Sequence, residues 1–135
     1  MPHYIDIFLS VVRDNETAQA AVIAVLFLIL ADWCFGLANA IIHHEFNSER
    51  MREGFGHKCA EIGLLLVAII ADGALLGGVD IGYSAPVFTI CCVYLCAMEI
   101  GSLLEIFAEM NPDLANSGPF KLLASTGEPE NENDA

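Results

Sequence analysis

Apolar residues run almost unbroken through three segments of the chain, about residues 20–42, 62–79 and 85–107. Each run is close to the 17–25 or so residues that a helix needs to cross a bilayer core. Polar residues collect between and outside the runs: before the first, across 43–58, in a short turn holding Asp80, Gly82 and Pro86, and after Asn111-Pro112. The pattern predicts an all-α membrane protein with three transmembrane helices. Ahead of the first run, Ile5, Phe8, Leu9 and Val12 recur at i, i+3, i+4 and i+7, with Asp6, Ser10 and Arg13 off that face. This is the pattern of a short N-terminal amphipathic helix lying on the membrane interface. Asp14, Asn15, Glu16 and Thr17 supply capping side chains for the first span. Gly54 and Gly56 read as breakers in a polar loop. Gly77-Gly78 ends the second span, Pro86 suits the first turn of the third, and Asn111-Pro112 stops it. The chain thus divides into an interfacial segment (1–17), a three-span membrane domain (18–112) and a polar acidic tail (113–135).

Composition sharpens this division. The chain is 56% hydrophobic and 17% charged, against about 45–50% apolar in an ordinary soluble domain. Helices apolar on all sides have no face for water. The net charge of −13 comes partly from Glu128, Glu130, Glu132 and Asp134 near the end. That segment cannot form a core and is expected to be disordered. The few Lys and Arg are scattered, which excludes nucleic acid as a partner. Arg13 stands against Asp6, Asp14 and Glu16, so the basic start of a signal peptide is missing and the first span is expected to be retained. Cys34, Cys91, Cys92 and Cys96 lie inside spans and Cys59 just before one, with no paired spacing that would make a disulfide framework. They read as small residues at helix contacts, and His43-His44 as a helix end at the membrane surface. No metal or cofactor is expected. No nucleophile–base arrangement appears, so an enzyme is not expected.

Each span carries one acid: Asp32, Asp72 and Glu99. An acid at the centre of a transmembrane helix costs about 2.5–3.5 kcal/mol on insertion scales and marks a functional candidate. No basic residue falls within 20–42, 62–79 or 85–107. The acids are therefore expected to be protonated, bonded to backbone or amide groups, or turned to water. Arg50, Arg52 and Lys58 fall in the first loop and no Lys or Arg in the second. The positive-inside rule then places the first loop in the cytoplasm, the N-terminus out and the C-terminus in. Counted from the cytoplasmic ends of the spans, all three acids lie about 12–15 Å deep at 1.5 Å per residue, near the midplane of a core about 30 Å thick. Asp32, Gly36, Asn39 and His43 share a stripe of the first span, and Cys92, Cys96, Glu99 and Ser102 a stripe of the third. Gly101 and Glu105 lie on the next stripe, and the second span offers Ala68, Asp72 and Gly73. Small residues allow close helix approach and polar ones bond across it. Asp32, Gly36, Asn39, Asp72, Glu99, Ser102 and Glu105 are thus the candidates for an intramembrane face that lines an oligomer contact or a lumen.

Three motifs occur in order. Ala31-Asp32-Trp33-Cys34-Phe35-Gly36 gives an Asp-Trp pair with Gly four after the Asp. Ser48, Met51, Gly54 and Lys58 give Ser-x-x-Met-x-x-Gly-x-x-x-Lys. Glu99, Ser102 and Glu105 give Glu-x-x-Ser-x-x-Glu. In this order and spacing, over about residues 25–112, the chain resembles the phage holin family of the toxin-secretion and phage-lysis type, found in Gram-positive bacteria and their phages. The resemblance implies a homo-oligomer in the host cytoplasmic membrane whose lesions release an endolysin or a large toxin, with an antiholin as a further partner. It implies Ser48, Gly54 and Lys58 as a cytoplasmic loop motif. Ile106 stands where the family often has Asn, and the tail is acidic where family tails are commonly basic. The next Met after Met1 is Met51, so an antiholin from a nearby internal Met start is not expected. A small proton- or cation-coupled transporter and a non-conducting scaffold are the alternative readings.

Overall fold

The computed structural model describes residues 2–44, 47–80, 82 and 86–125. Six helices follow in order: α1 (Pro2–Arg13), α2 (Glu16–Ile42), α3 (Ser48–Leu76), α4 (Val87–Met110), α5 (Pro112–Ala115) and α6 (Gly118–Ser125). No strand occurs among the described residues. Three helices are long and apolar enough to cross a membrane, over Glu16–Ile42, Met51–Leu76 and Val87–Met110. The all-α, three-span expectation and the short N-terminal helix both hold.

Local chemistry sets the helix ends. Asn15 caps α2, its side chain accepting from the Ala18 amide at 3.1 Å, so one otherwise orphan donor of the first turn is paired. Asn47 caps α3 in the same way, accepting from the Glu49 amide at 2.9 Å. At the far end of α3, Gly78 takes a left-handed φ of +86°. The Gly78 amide then donates to Leu75 O at 3.0 Å and the Val79 amide to Ala74 O at 3.0 Å, closing the carbonyls of the last turn.

Two expectations are corrected here. Residues 43–58 are not one polar loop, because α3 already starts at Ser48. Gly54 and Gly56 lie inside that helix, with nothing near the Cβ either would carry. A helical Gly costs only about 1 kcal/mol against Ala, too little to stop a helix that is capped by Asn47 and continues into an apolar run. The segment 113–135 is not wholly a polar tail, since α5 and α6 occupy its first part. The acids at 128–134 lie outside the described residues.

The bundle is built around α4. α2 packs alongside it in parallel, with a constant register: Asp32 meets Ser102 and Asn39 meets Glu109. Phe35 and Phe107 stack edge to face between these pairs, with centroids 4.9 Å apart and planes at 86°. α3 runs antiparallel to α4, with Lys58 reaching Glu99 and Asp72 reaching Val87 and Phe88. The core joins Val25 and Ile29 of α2, Leu65 and Ala68 of α3, and Phe88, Cys92 and Leu95 of α4. The outward faces are apolar too: Phe27, Val67 and Val93 are 68%, 62% and 61% exposed. Such faces suit lipid, in which a helix satisfies its own backbone. The 29 residues of α3 extend about 43 Å at 1.5 Å each, longer than a core of about 30 Å. Its polar first turns therefore project beyond the bilayer.

α1 packs on α3 and against the start of α2, burying Val11 and leaving Tyr4, Ile5 and Leu9 exposed. Arg13 closes its outer side, bonding Asp6 at 2.5 Å and Asp14 at 3.0 Å. The hydrogen bond from Arg13, and then its charge, holds the Asp6 carboxyl below the usual carboxylate range. The Phe8 ring lies on Gly73: a Cβ at that position would overlap the ring, whose Cγ would be 3.0 Å away. Gly73→Ala is therefore expected to destabilise the bundle by about 1–3 kcal/mol, the usual range for overpacking. In a Phe8→Ala background the sign should reverse, because only the helix-propensity gain of about 1 kcal/mol remains. Reversible unfolding of both pairs in mixed micelles checks this. The same loss in both backgrounds would remove Phe8 as the cause.

Candidate functional site

Lys58 stands on α3, and its side chain crosses to both α2 and α4. Its Nζ donates to the two oxygens of Glu99 at 2.5 and 2.6 Å. It lies 2.9 Å from Asp32 Oδ2 and 3.4 Å from Glu61 Oε2, one turn on along α3. The other Asp32 oxygen accepts from Ser102 Oγ at 2.5 Å. The group is well shielded, with side-chain exposures of 16% for Lys58, 13% for Asp32, 11% for Glu61 and 2% for Glu99. One ammonium thus stands among three carboxylates. With all of them ionised the cluster carries two negative charges more than positive, inside a low-dielectric bundle. Glu61 Oε2 is buried and accepts no hydrogen bond, which marks it as the least satisfied member.

Toward the α2–α3 connection the cluster opens into a cleft of about 690 Å³. Its walls are Trp33, Leu37 and Met51, and Ile106 lies on its α4 side. Its polar lining includes Asn39, His43 and Glu109, with Asp32, Lys58 and Ser102 at the closed end. Asn39 Nδ2 donates to Glu109 Oε2 at 2.8 Å, two helical turns from the cluster. Such a volume with a few convergent polar groups is in the range of ligand-sized pockets.

The predicted stripes meet here only in part. Asp32, Gly36, Asn39 and His43 all line the cleft, as does Ser102 from α4. Glu99 joins the cluster behind it. Gly36 is not needed for close approach, since a Cβ there would meet Ile106 Cδ1 only at an ordinary 3.8 Å. Glu105 is exposed on another face of α4, away from the cleft. Of the loop motif, Lys58 and Gly54 are helical and line the cleft, and Ser48 is the first residue of α3.

Asp72 is elsewhere. Its two oxygens accept from the Val87 and Phe88 amides at 3.0 and 2.8 Å. It thereby pairs free donors at the start of α4 and meets the positive end of that helix. Pro86, at the cap position, offers no side-chain bond of its own, so the carboxylate arrives from α3. The common depth expected for the three acids is corrected: Glu99 lies about 18 Å further along α4 than Val87 at 1.5 Å per residue. The expectation that no base pairs with the acids is corrected too. α3 brings Lys58 into the bundle because the helix begins at Ser48, fourteen residues before the apolar run that starts at about residue 62. Glu61 and Glu109 escaped the sequence reading. The only available signals were the i, i+3 spacing of Lys58 and Glu61 and the repeat of the Asp32–Ser102 separation in Asn39–Glu109.

Removing one partner of a buried ion pair typically costs about 3–5 kcal/mol because the other charge is stranded. Lys58→Met is expected to destabilise the bundle by about that amount, since three carboxylates lose their cation. Glu99→Gln should cost little or nothing, because Lys58 keeps Asp32 and Glu61 and the cluster loses one of its two excess negative charges. A double-mutant cycle of the two, read by reversible unfolding in mixed micelles, should show coupling above about 1 kcal/mol. Strict additivity would mean that the contact carries no energy.

No curated protein and no solved structure matches the chain. A family model described as the bacteriophage holin family matches residues 16–116, from the first turn of α2 to just past α5. The match covers all three spans, the Lys58 cluster and the cleft, and the chain therefore belongs to the bacteriophage holin family.

Proposed function

We propose that this protein oligomerises in the bacterial cytoplasmic membrane and opens lesions through which an endolysin, or a large toxin, leaves the cell. The observation that carries the reading is a buried cluster holding more acid than base, in a three-span chain of the holin family. Burying unbalanced charge is costly, and hydration relieves it. The packed bundle hides the cluster between α2, α3 and α4. Separating α3 from the α2–α4 pair would wet Asp32, Glu61, Glu99, Ser102 and the cleft together, giving a polar wall. Lys58 is the clasp against this step, and the excess carboxylate is the charge that favours it. Many copies sharing one interface would make the opening abrupt.

Opposite charge changes should then shift timing in opposite directions. Glu99→Gln removes one excess negative charge with little change in size, and should delay lysis. Lys58→Gln removes the clasp, and should bring lysis forward. The measurement is culture turbidity after induction beside a co-expressed endolysin, at matched membrane levels. Shifts of the same sign in both variants would defeat the charge mechanism. Release of a folded cytoplasmic enzyme at the moment of lysis distinguishes a lesion from a transporter, which would move small solutes saturably, and from a scaffold, which would move neither.

The sequence charges support an orientation with the N-terminus out and the α2–α3 connection in the cytoplasm. In a cysteine-free chain, Asp80→Cys should react with a membrane-impermeant thiol reagent on intact cells, and Asn47→Cys only after permeabilisation. The reverse pattern would invert the topology.

A further inference from the structure

The helix α6, Gly-Pro-Phe-Lys-Leu-Leu-Ala-Ser over Gly118–Ser125, has an apolar surface that the bundle does not cover. Phe120 is half-buried, whereas Leu122 and Leu123 are 70% and 53% exposed. Phe120 and Leu123, three residues apart, lie on one side of the helix. Lys121 and Ser125, four apart, lie on the other. Lys121 is the helix's only charged residue, whereas four acids follow at 128–134.

The position of α6 determines what can cover it. α4 ends at Met110, and α5 occupies most of the short connection to α6. Both α5 and α6 contact α4. α6 is thus held beside the last turns of a membrane span, within reach of the bilayer surface. Eight residues of helix are too short to persist alone in water and need a packed face. α6 packs on α4 and α5, but none of its residues is fully buried there.

We propose that α6 is an interfacial anchor that docks on the lipid bilayer, on the face where α4 ends. Leu123 and Leu122 enter the boundary between headgroups and acyl chains, and Lys121 stays at phosphate level, its stem lying along the surface. The anchor separates the membrane domain from the acidic end of the chain. α1 stands at the opposite face, since an odd number of spans puts the two ends of the set on opposite sides. This inference rests on α4 spanning the bilayer and not on lesion formation, so it stands or fails independently of lysis.

The test uses the full chain in phosphatidylcholine nanodiscs, which expose both faces. Trp33 is the sole tryptophan, so a Trp33→Phe chain carrying Leu123→Trp has one reporter. Lipids brominated near the glycerol end of the acyl chain should quench it at least about twofold more than lipids brominated at mid-chain, the depth order of an interfacial helix. Lys121→Trp in the same background should be quenched mainly by aqueous acrylamide. Acrylamide quenching at both positions, with no effect of brominated lipid, would overturn the proposal. A second measurement needs no tryptophan change. Trypsin should cut after Lys121 at least about tenfold faster in a Leu122→Ser/Leu123→Ser chain than in the unaltered one, if the bilayer shields the helix. Equal rates would overturn the proposal as well.

Discussion

The structure turns on the Lys58 ammonium and the carboxylates of Asp32, Glu61 and Glu99. It ties all three spans together at one level, and it does so with an imbalance. In lipid, apolar surfaces give helices little reason to prefer one another, so polar contacts and close packing decide the arrangement. α2 and α4 have an aromatic contact and two polar pairs in one register. α3 depends more heavily on Lys58 at one end and Asp72 at the other.

Those two carboxylate contacts on α3 differ in kind. Asp72 meets fixed backbone donors at the start of α4, and each of its oxygens is paired. Nothing there is left to gain from water. The Lys58 cluster has one cation for three acids and a buried oxygen without a hydrogen bond. The first contact suits a permanent hinge point, and the second suits a contact that can be released. On the proposed function, a bundle held in this way would open from the Lys58 end, the end where the cleft lies.

The three spans, the N-terminal amphipathic helix and the Asn15 cap were legible in the sequence because each depends on neighbours along the chain. The stripe from Asp32 to His43 was legible for the same reason: residues four and seven apart share a helix face in any context. The acids were recognisable as important because a carboxylate within an apolar run is expensive wherever the run is placed. The start of α3 was not legible. Two glycines and several charges read as a loop, and only the Asn47 cap and the long helix behind it outweigh them.

Local pattern therefore determined that this chain crosses a bilayer three times with an acid in each span. Tertiary structure decided what each acid does. Asp32 and Glu99 converge because α2 and α4 run parallel in a fixed register, a relation between residues some seventy positions apart that no local period encodes. Asp72 is separated from them because α3 runs the other way and meets the start of α4. Lys58 looked like a loop cation until the early start of α3 carried it into the bundle, where a side chain reaching between helices gave the acids their shared partner. The physical reason is range: hydrophobic period and capping act over a few residues, whereas charge pairing is settled only when helices distant in sequence come within a few ångströms.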